Sequence, residues 1–348
     1  MSTPDLSQPP QLSASYQARR LRNGLISIAI LAALVVGLLL AVPGLHGVED
    51  TVGDMTPGWV AAAAIFEVAS CLGYVLIFLT VFDRAPVAFG ARVALTEMAF
   101  GAAVSLGGAG SIAVGAWLLH ERGVESGRIA ERSATLFLLT SAINAITLAG
   151  FGLLLGLGIL PGPTNPLLTL LPAAVAIASF VFFLALPRLA ESLPPSRGSG
   201  RLARLIRGTA LTIRLTRAML LRPDWRLLGA VAYLWFDIAV LWACFEATGH
   251  TPPIAVIVLA YQIGYLVNVL PIPGNIGTLE AGFVGMLALY HVHATRAAAA
   301  AVVYHALALW IPALWGTVAF IRLRRMQGPL IPRGGAGGRV RRAQRPLG

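Results

Sequence analysis

Long apolar runs separated by short polar segments dominate the hydropathy pattern of the chain. Six of these runs lie near residues 24–43, 58–82, 133–158, 166–187, 226–247 and 297–321. Because a helix needs about 20 mostly apolar residues to cross the hydrocarbon core, each run predicts one membrane-spanning helix. The chain is 57% hydrophobic and 12% charged, with a mean hydropathy of +0.77. This composition is typical of a membrane protein and excludes an ordinary soluble domain.

Two further apolar regions, near 93–120 and 254–290, are interrupted in the middle. The segments on either side of each interruption are too short for a full span, and proline and glycine oppose helix continuation. We therefore expect two re-entrant hairpins, which give eight membrane segments when each hairpin counts as one. The predicted turn residues are Gly107, Gly108 and Gly110 in the first hairpin and Pro271, Pro273, Gly274 and Gly277 in the second.

The order of span, span, hairpin and span occurs twice along the chain. Glu97 lies over Gln262 at an offset of 165 residues, and Gly110 lies over Gly277 at an offset of 167. An odd number of full spans in each half inverts the second half relative to the first. The predicted fold is therefore an all-α polytopic membrane protein with about six full spans and two hairpins, arranged as an inverted-topology repeat.

This pattern divides the chain into four parts. Residues 1–23 form a polar leader, 24–160 the first membrane repeat, 161–325 the second repeat and 326–348 a basic tail, and we expect both ends to be disordered. The second repeat contains an arginine-rich segment at 188–226. An amphipathic interfacial helix is predicted there, with arginines opposite an apolar face formed by Leu202, Leu205, Ile206, Ile213 and Leu220.

The charge distribution indicates topology rather than a nucleic-acid partner. The net charge is +11, and all 26 basic residues are arginines, which cluster in segments between the apolar runs. The positive-inside rule then predicts that both termini lie in the cytoplasm. Cys71 and Cys244 fall inside apolar runs, so neither a disulfide nor a metal site is indicated. No catalytic constellation or nucleotide-binding loop is present, so we expect neither an enzyme nor a cofactor.

Polar residues inside apolar segments are the candidates for substrate binding or coupling, because an unpaired charge in hydrocarbon is costly. Each candidate also has a structural interpretation. Glu280 could cap the amides of its own turn, and the other carboxylates could pair with neighbouring donors. The amides and the histidine could form interhelical hydrogen bonds. The candidates are Glu280, Glu97, Glu67, Asp237, Asn268, Gln262, Asn275 and His305.

The second hairpin carries a Pro-x-Pro-Gly-x-x-Gly turn, from Pro271 to Gly277, followed by Glu280. Together with the segment from Tyr304 to Pro312 and the glycines at 107–110, it resembles the flippase-like membrane domain of lysylphosphatidylglycerol synthases. Asn275 and His305 depart from that family, which often has glycine and arginine there. This puts phosphate recognition in doubt. No polar domain follows residue 325, so aminoacyl transfer is not expected.

The resemblance implies a bacterial plasma-membrane protein that moves a phospholipid or lipid-linked molecule between leaflets. Its expected partners are membrane lipids, anionic or lipid-linked. Two alternatives remain open at this stage: a secondary transporter of a small solute or ion on the same fold, and a membrane scaffold for lipid enzymes that acts through residues 188–226. The sequence predicts no particular substrate, direction of transport, energy coupling or oligomeric state.

Overall fold

The structure is a computed structural model that describes residues 48–103, 109–192, 201–221, 224–269 and 278–325. Every regular element in these ranges is helical. The helices are α1 (Val48–Gly53), α2 (Pro57–Val81), α3 (Val87–Ala103), α4 (Ala109–Glu121), α5 (Ser126–Gly156), α6 (Leu170–Ser192), α7 (Arg201–Leu220), α8 (Leu228–Ala247), α9 (Ile254–Val269), α10 (Thr278–Leu289) and α11 (Ala294–Arg325). The all-α prediction is confirmed for this part of the chain.

Five of the six predicted spans correspond to helices that are long and apolar enough to cross a membrane. These candidate spans are Pro57–Val81, Ser126–Gly156, Leu170–Arg188, Trp225–Ala247 and Ala294–Arg325. The sixth predicted span, at 24–43, lies outside the described residues, as do the predicted leader and tail.

Helices α2 and α8 form an antiparallel pair at the centre of the bundle. Rings meet in three places along this pair, where residue numbers rise on α2 and fall on α8: Trp59 with Trp242, Phe66 with Phe236, and Tyr74 with Tyr233. At their closest approach, a Cβ atom on Gly73 would lie 2.6 Å from the Tyr233 nitrogen. Glycine therefore allows backbone contact between two long helices, as is common in membrane bundles.

Two pairs of shorter helices pack against this centre: α3 with α4, and α9 with α10. The four helices contain 17, 13, 16 and 12 residues, so each is shorter than a typical span. We call α3–α4 the first short-helix pair and α9–α10 the second. Both connecting turns, at 104–108 and 270–277, lie outside the described residues, and the re-entrant course of both pairs stays a prediction.

The order long, short, short, long is observed in both halves. It runs α2, α3, α4, α5 in the first half and α8, α9, α10, α11 in the second. Helices α3 and α9 begin 167 residues apart, at Val87 and Ile254. These bounds shift the sequence alignment by two residues and place Glu97 over Gly264 rather than over Gln262. The antiparallel packing of α2 and α8 agrees with an inverted second half.

Helix α7 occupies part of the arginine-rich segment and packs on α5 and α6. Its buried face contains Ala210, Thr212, Ile213 and Thr216, whereas Arg214 and Arg217 are exposed. The side chain of Leu220, which was expected on the apolar face, is exposed, and an apolar face that lies on lipid would have this exposure in the isolated chain. The side chains of residues 201–207 lie outside the description.

Candidate functional site

Asp237 of α8 accepts more hydrogen bonds than the other carboxylates whose side chains the structure describes among the predicted site residues. The Tyr261 hydroxyl of α9 donates a hydrogen bond to Oδ2 at 2.5 Å, and the Tyr304 hydroxyl of α11 donates to Oδ1 at 3.0 Å. Three helices therefore converge on one side chain, which is half-buried. Two hydroxyl donors on separate oxygens satisfy a carboxylate well, which is what an acidic group needs inside an apolar bundle.

Glu67 of α2 lies beside Asp237. It is flanked by two contacts between α2 and α8: the Phe66–Phe236 ring pair and the hydrogen bond from Ser70 Oγ to the Tyr233 carbonyl. The two acidic groups are close enough to interact electrostatically. The sequence analysis placed these two residues in corresponding spans, and the structure brings them together.

The surroundings of the two carboxyl groups differ. Glu67 is only 3% exposed. Its Oε1 is 3.8 Å from the Cys71 thiol, and its Oε2 has no hydrogen-bond partner among the described residues. A buried oxygen that lacks a donor is costly for an ionised carboxylate but much less so for a protonated carboxyl group.

Glu97 forms a second polar contact, between α3 and α2. It is 3% exposed, and its Oε2 accepts a hydrogen bond of 2.9 Å from the Tyr74 hydroxyl. The Glu97 side chain also lies on Gly115 of α4, where an added Cβ atom would come within 1.5 Å of Oε1. Glu97 therefore joins both helices of the first short-helix pair to α2.

One face of α2 connects the two acidic sites. Glu67, Cys71 and Tyr74 are spaced at four and three residues, which places them on the same side of a helix. This face contacts Asp237 near its middle and Glu97 one turn further on. We call the set of Glu67, Cys71, Tyr74, Glu97, Asp237, Tyr261 and Tyr304 the buried polar cluster.

His305 lies next to the cluster on α11. Its Nδ1 is 3.1 Å from the Ala301 carbonyl oxygen, and its ring packs on Tyr304 and Phe283. Gln262 of α9 is 4% exposed, and its Nε2 has no hydrogen-bond partner among the described residues. The described contacts therefore give this amide nitrogen no interhelical bond.

The remaining predicted site residues fall on parts of the chain that are not described. Glu280 is the third residue of α10 and Asn268 lies near the end of α9, but the description does not extend to their side chains. Gly110 falls in the first turn of α4. Asn275 and the other predicted turn residues lie outside the described ranges: Gly107, Gly108, Pro271, Pro273, Gly274 and Gly277.

Sequence reasoning missed the three tyrosines of the cluster. A signal was present in the spacing: Tyr74 precedes Glu97 by 23 residues, and Asp237 precedes Tyr261 by 24. The spacing by itself did not indicate that each tyrosine forms a hydrogen bond with the acidic residue. Among the described residues, no three histidine, cysteine, aspartate or glutamate side chains are grouped as metal ligands would be.

Long helices, two short-helix pairs and a buried polar cluster define a polytopic helical membrane protein with an interior polar site. The chain belongs to the family described as the lysylphosphatidylglycerol synthase transmembrane region, whose model matches residues 24–316. The match is to the membrane region of these synthases, and it confirms the family that the hairpin residues indicated.

A curated relative supports the assignment to membrane proteins. The chain is similar to a UPF0104 membrane protein from Methanothermobacter thermautotrophicus, with 36% identity over 86 residues. The match covers 24% of this chain, and the chain spans about a quarter of the length of that relative, 24%.

Proposed function

We propose that the chain moves a phospholipid or lipid-linked molecule between the two leaflets of a plasma membrane, with both termini in the cytoplasm. The observation that carries this proposal is the buried polar cluster, which lies where both short-helix pairs meet the long helices α2, α8 and α11. Membrane transporters commonly bind their substrates near such broken segments. The family assignment supports the same class of substrate.

A lipid headgroup needs a polar route through the bundle, whereas its acyl chains can remain in hydrocarbon. The cluster supplies hydroxyl, carboxyl and thiol groups from α2, α3, α8, α9 and α11, and Asp237 is only half-buried. Arginines near the membrane surface attract anionic headgroups, at about 1 kcal/mol for each arginine. Arg214 and Arg217 of α7 are exposed and could contribute this attraction.

The test is a leaflet-resolved translocation assay in proteoliposomes. The probes are a fluorescent phospholipid and a fluorescent polyprenyl phosphate, each read with a quencher that cannot cross the membrane. Wild type is compared with Asp237→Asn, and Asp54→Asn is the matched control because Asp54 is exposed and distant from the cluster. We expect wild type and the control to accelerate translocation of at least one probe, and Asp237→Asn to lose most of the acceleration.

A folded wild-type protein that translocates neither probe above the rate of empty liposomes would contradict the proposal. The two other hypotheses then separate by a second assay. Uptake of a soluble substrate would favour a secondary transporter. Retention of lipid enzymes that depends on the arginines of α7 would favour a scaffold.

A further inference from the structure

The two carboxyl groups of Glu67 and Asp237 share one interior location but have different partners. Asp237 accepts one tyrosine hydroxyl on each oxygen. Glu67 has only a long thiol contact to Oε1, and its Oε2 is without a partner among the described residues. This arrangement suits one ionised and one protonated carboxyl group.

Two ionised carboxylates at this location would be unfavourable for two reasons. Each would lose its hydration inside the bundle, and the two negative charges would repel each other at short range. Protonating one of them removes both costs. Two strongly interacting carboxyl groups release their protons as a unit rather than as independent groups.

The contacts described for the pair come from thiol and hydroxyl groups, none of which carries a fixed positive charge in place of the proton. Among the described residues, the polar groups around the pair are the Cys71 thiol of α2, the Tyr261 hydroxyl of α9 and the Tyr304 hydroxyl of α11. The His305 ring makes an edge contact with the Tyr304 ring. Glu97 of α3 accepts a hydrogen bond from Tyr74, which lies on the same face of α2 as Glu67. Arg132 of α5 is near Asp83 at 3.7 Å and donates to the carbonyl of Val81, which is the last residue of α2, whereas Glu67 lies near the middle of that helix.

We propose that Glu67 and Asp237 form a carboxyl pair that holds one exchangeable proton, so that the protein binds a proton in the interior of the membrane. Glu67 holds the proton when the pair is at rest. Asp237 is the entry point because its side chain is half-buried, whereas Glu67 is 3% exposed. The proton leaves one carboxyl oxygen and binds the other without a co-reactant.

Proton binding would give the transporter a means of using a proton gradient. This coupling rests on the proposed function, whereas the proton site itself does not. Protonation changes the charge at the contact of α2, α8, α9 and α11. The experiment therefore has one arm for the site and one for the coupling.

The first arm is infrared spectroscopy of the full chain in lipid, recorded as the pH is changed. Wild type should show a carboxylic acid carbonyl band that titrates. Glu67→Gln should lose this band, and Asp237→Asn should shift the pH at which the band disappears. Asp54→Asn, with its exposed carboxylate, should leave the band unchanged.

Cys71→Ser provides a second, structurally mild variant if Glu67→Gln does not fold. A serine hydroxyl donates a stronger hydrogen bond to Glu67 Oε1 than the thiol does, so the carbonyl band should move to lower frequency. An unchanged band in Cys71→Ser or Glu67→Gln would overturn the assignment to Glu67. If the band disappears at the same pH in Asp237→Asn as in wild type, the two residues do not share the proton. Loss of the band on adding sodium chloride in place of choline chloride would indicate a cation site instead.

The second arm measures lipid translocation with and without a pH difference across the liposome membrane. The wild-type rate should change with the pH difference, and the rate of Glu67→Gln should not. A wild-type translocation rate that does not change with the pH difference would contradict the coupling of transport to proton binding. If no lipid moves at all but the band behaves as expected, the proton site stands and the proposed function fails.

Discussion

The two short-helix pairs hold the same place in the helix order of their halves, but the residues in contact within each pair differ. In the first pair, Glu97 of α3 lies on Gly115 of α4. In the second pair, Gly264 of α9 lies under the ring of Phe283 of α10. The glycine and the large side chain have exchanged helices, at positions 167 and 168 residues apart in the chain.

The tyrosine–carboxylate contacts show the same exchange. In the first half, the tyrosine is on the long helix α2 and the acid is on the short helix α3. In the second half, the acid is on the long helix α8 and the tyrosine is on the short helix α9. Each half therefore has a tyrosine–carboxylate contact between a long helix and the short helix that follows it, but the helix that carries each group differs.

This difference gives the two pairs distinct physical properties. The first pair is held by a buried carboxyl group with one tyrosine donor. The second is held by ring contacts of Phe283 with Tyr261 and Tyr304, at 6.0 and 5.7 Å between centroids. Changes in polarity or charge should therefore act mainly on the first pair, and changes in side-chain volume should be better tolerated in the second.

The largest effect is expected from Gly115→Ala in the first pair. The new Cβ atom would meet Glu97 at 1.5 Å from Oε1 and 2.6 Å from Cγ, so the buried side chain must leave its position and its tyrosine donor. Overpacking costs about 1–3 kcal/mol, and the stranded carboxyl group adds to this cost. Thermal unfolding of the purified protein should show a clear fall in melting temperature.

Gly285→Ala is the matched control in the second pair, because no atom lies within 4 Å of a Cβ at that position. It should leave the melting temperature unchanged. The double variant Gly115→Ala with Glu97→Ala should recover part of the loss. Equal melting temperatures for Gly115→Ala and Gly285→Ala would show that Glu97 is not seated on Gly115.

A smaller effect is expected from Gly264→Ala in the second pair. The added Cβ atom would lie 2.8 Å from the nearest Phe283 ring carbon, so the buried ring must tilt to make room for it. We expect a loss of about 1 kcal/mol, at the low end of overpacking. Gly264→Ala should cost less when it is added to Phe283→Leu than when it is added to wild type, because leucine leaves room for the new Cβ atom. A larger loss than that of Gly115→Ala would contradict the ordering of the two pairs.

The tyrosine hydroxyls allow the polar contacts to be compared directly. Tyr74→Phe removes the hydroxyl that donates to Glu97, whereas Tyr261→Phe leaves Asp237 with its Tyr304 bond. Loss of a bond to a buried acidic group costs about 1.5–3 kcal/mol. Tyr74→Phe should therefore lower the melting temperature more than Tyr261→Phe does, and adding Tyr304→Phe to Tyr261→Phe should close the gap. Equal losses in Tyr74→Phe and Tyr261→Phe would show that the hydrogen bond from Tyr304 does not compensate for the loss of the one from Tyr261.

The sequence predicted the long helices well because hydropathy directly reflects the solvent they require. The predicted span at 58–82 compares with Pro57–Val81, and that at 226–247 with Trp225–Ala247. Helix α5 begins at Ser126, about two turns before its predicted span at 133–158, since helices continue into the polar region beyond hydrocarbon.

The site was less predictable than the spans. Ionisable residues in apolar runs are conspicuous, so Glu67, Glu97 and Asp237 could be selected. Their partners were not visible, because tyrosine is equally suited to packing in a membrane helix. The contacts of Gly115 with Glu97 and of Gly264 with Phe283 could not be predicted for a related reason. A single glycine in a helix does not indicate which side chain packs against it.

The smallest effect on stability is expected from Gln262→Leu in the second pair. Its buried Nε2 has no hydrogen-bond partner among the described residues, and an unsatisfied buried donor costs about 1–3 kcal/mol. An apolar side chain of similar volume should therefore leave the melting temperature unchanged or raise it. Glu97→Leu in the first pair is the contrast, because it removes a satisfied hydrogen bond and should lower the melting temperature. A marked loss in Gln262→Leu would mean that this amide has a structural partner. Unchanged stability with slower lipid translocation would instead indicate that the amide is retained for contact with substrate.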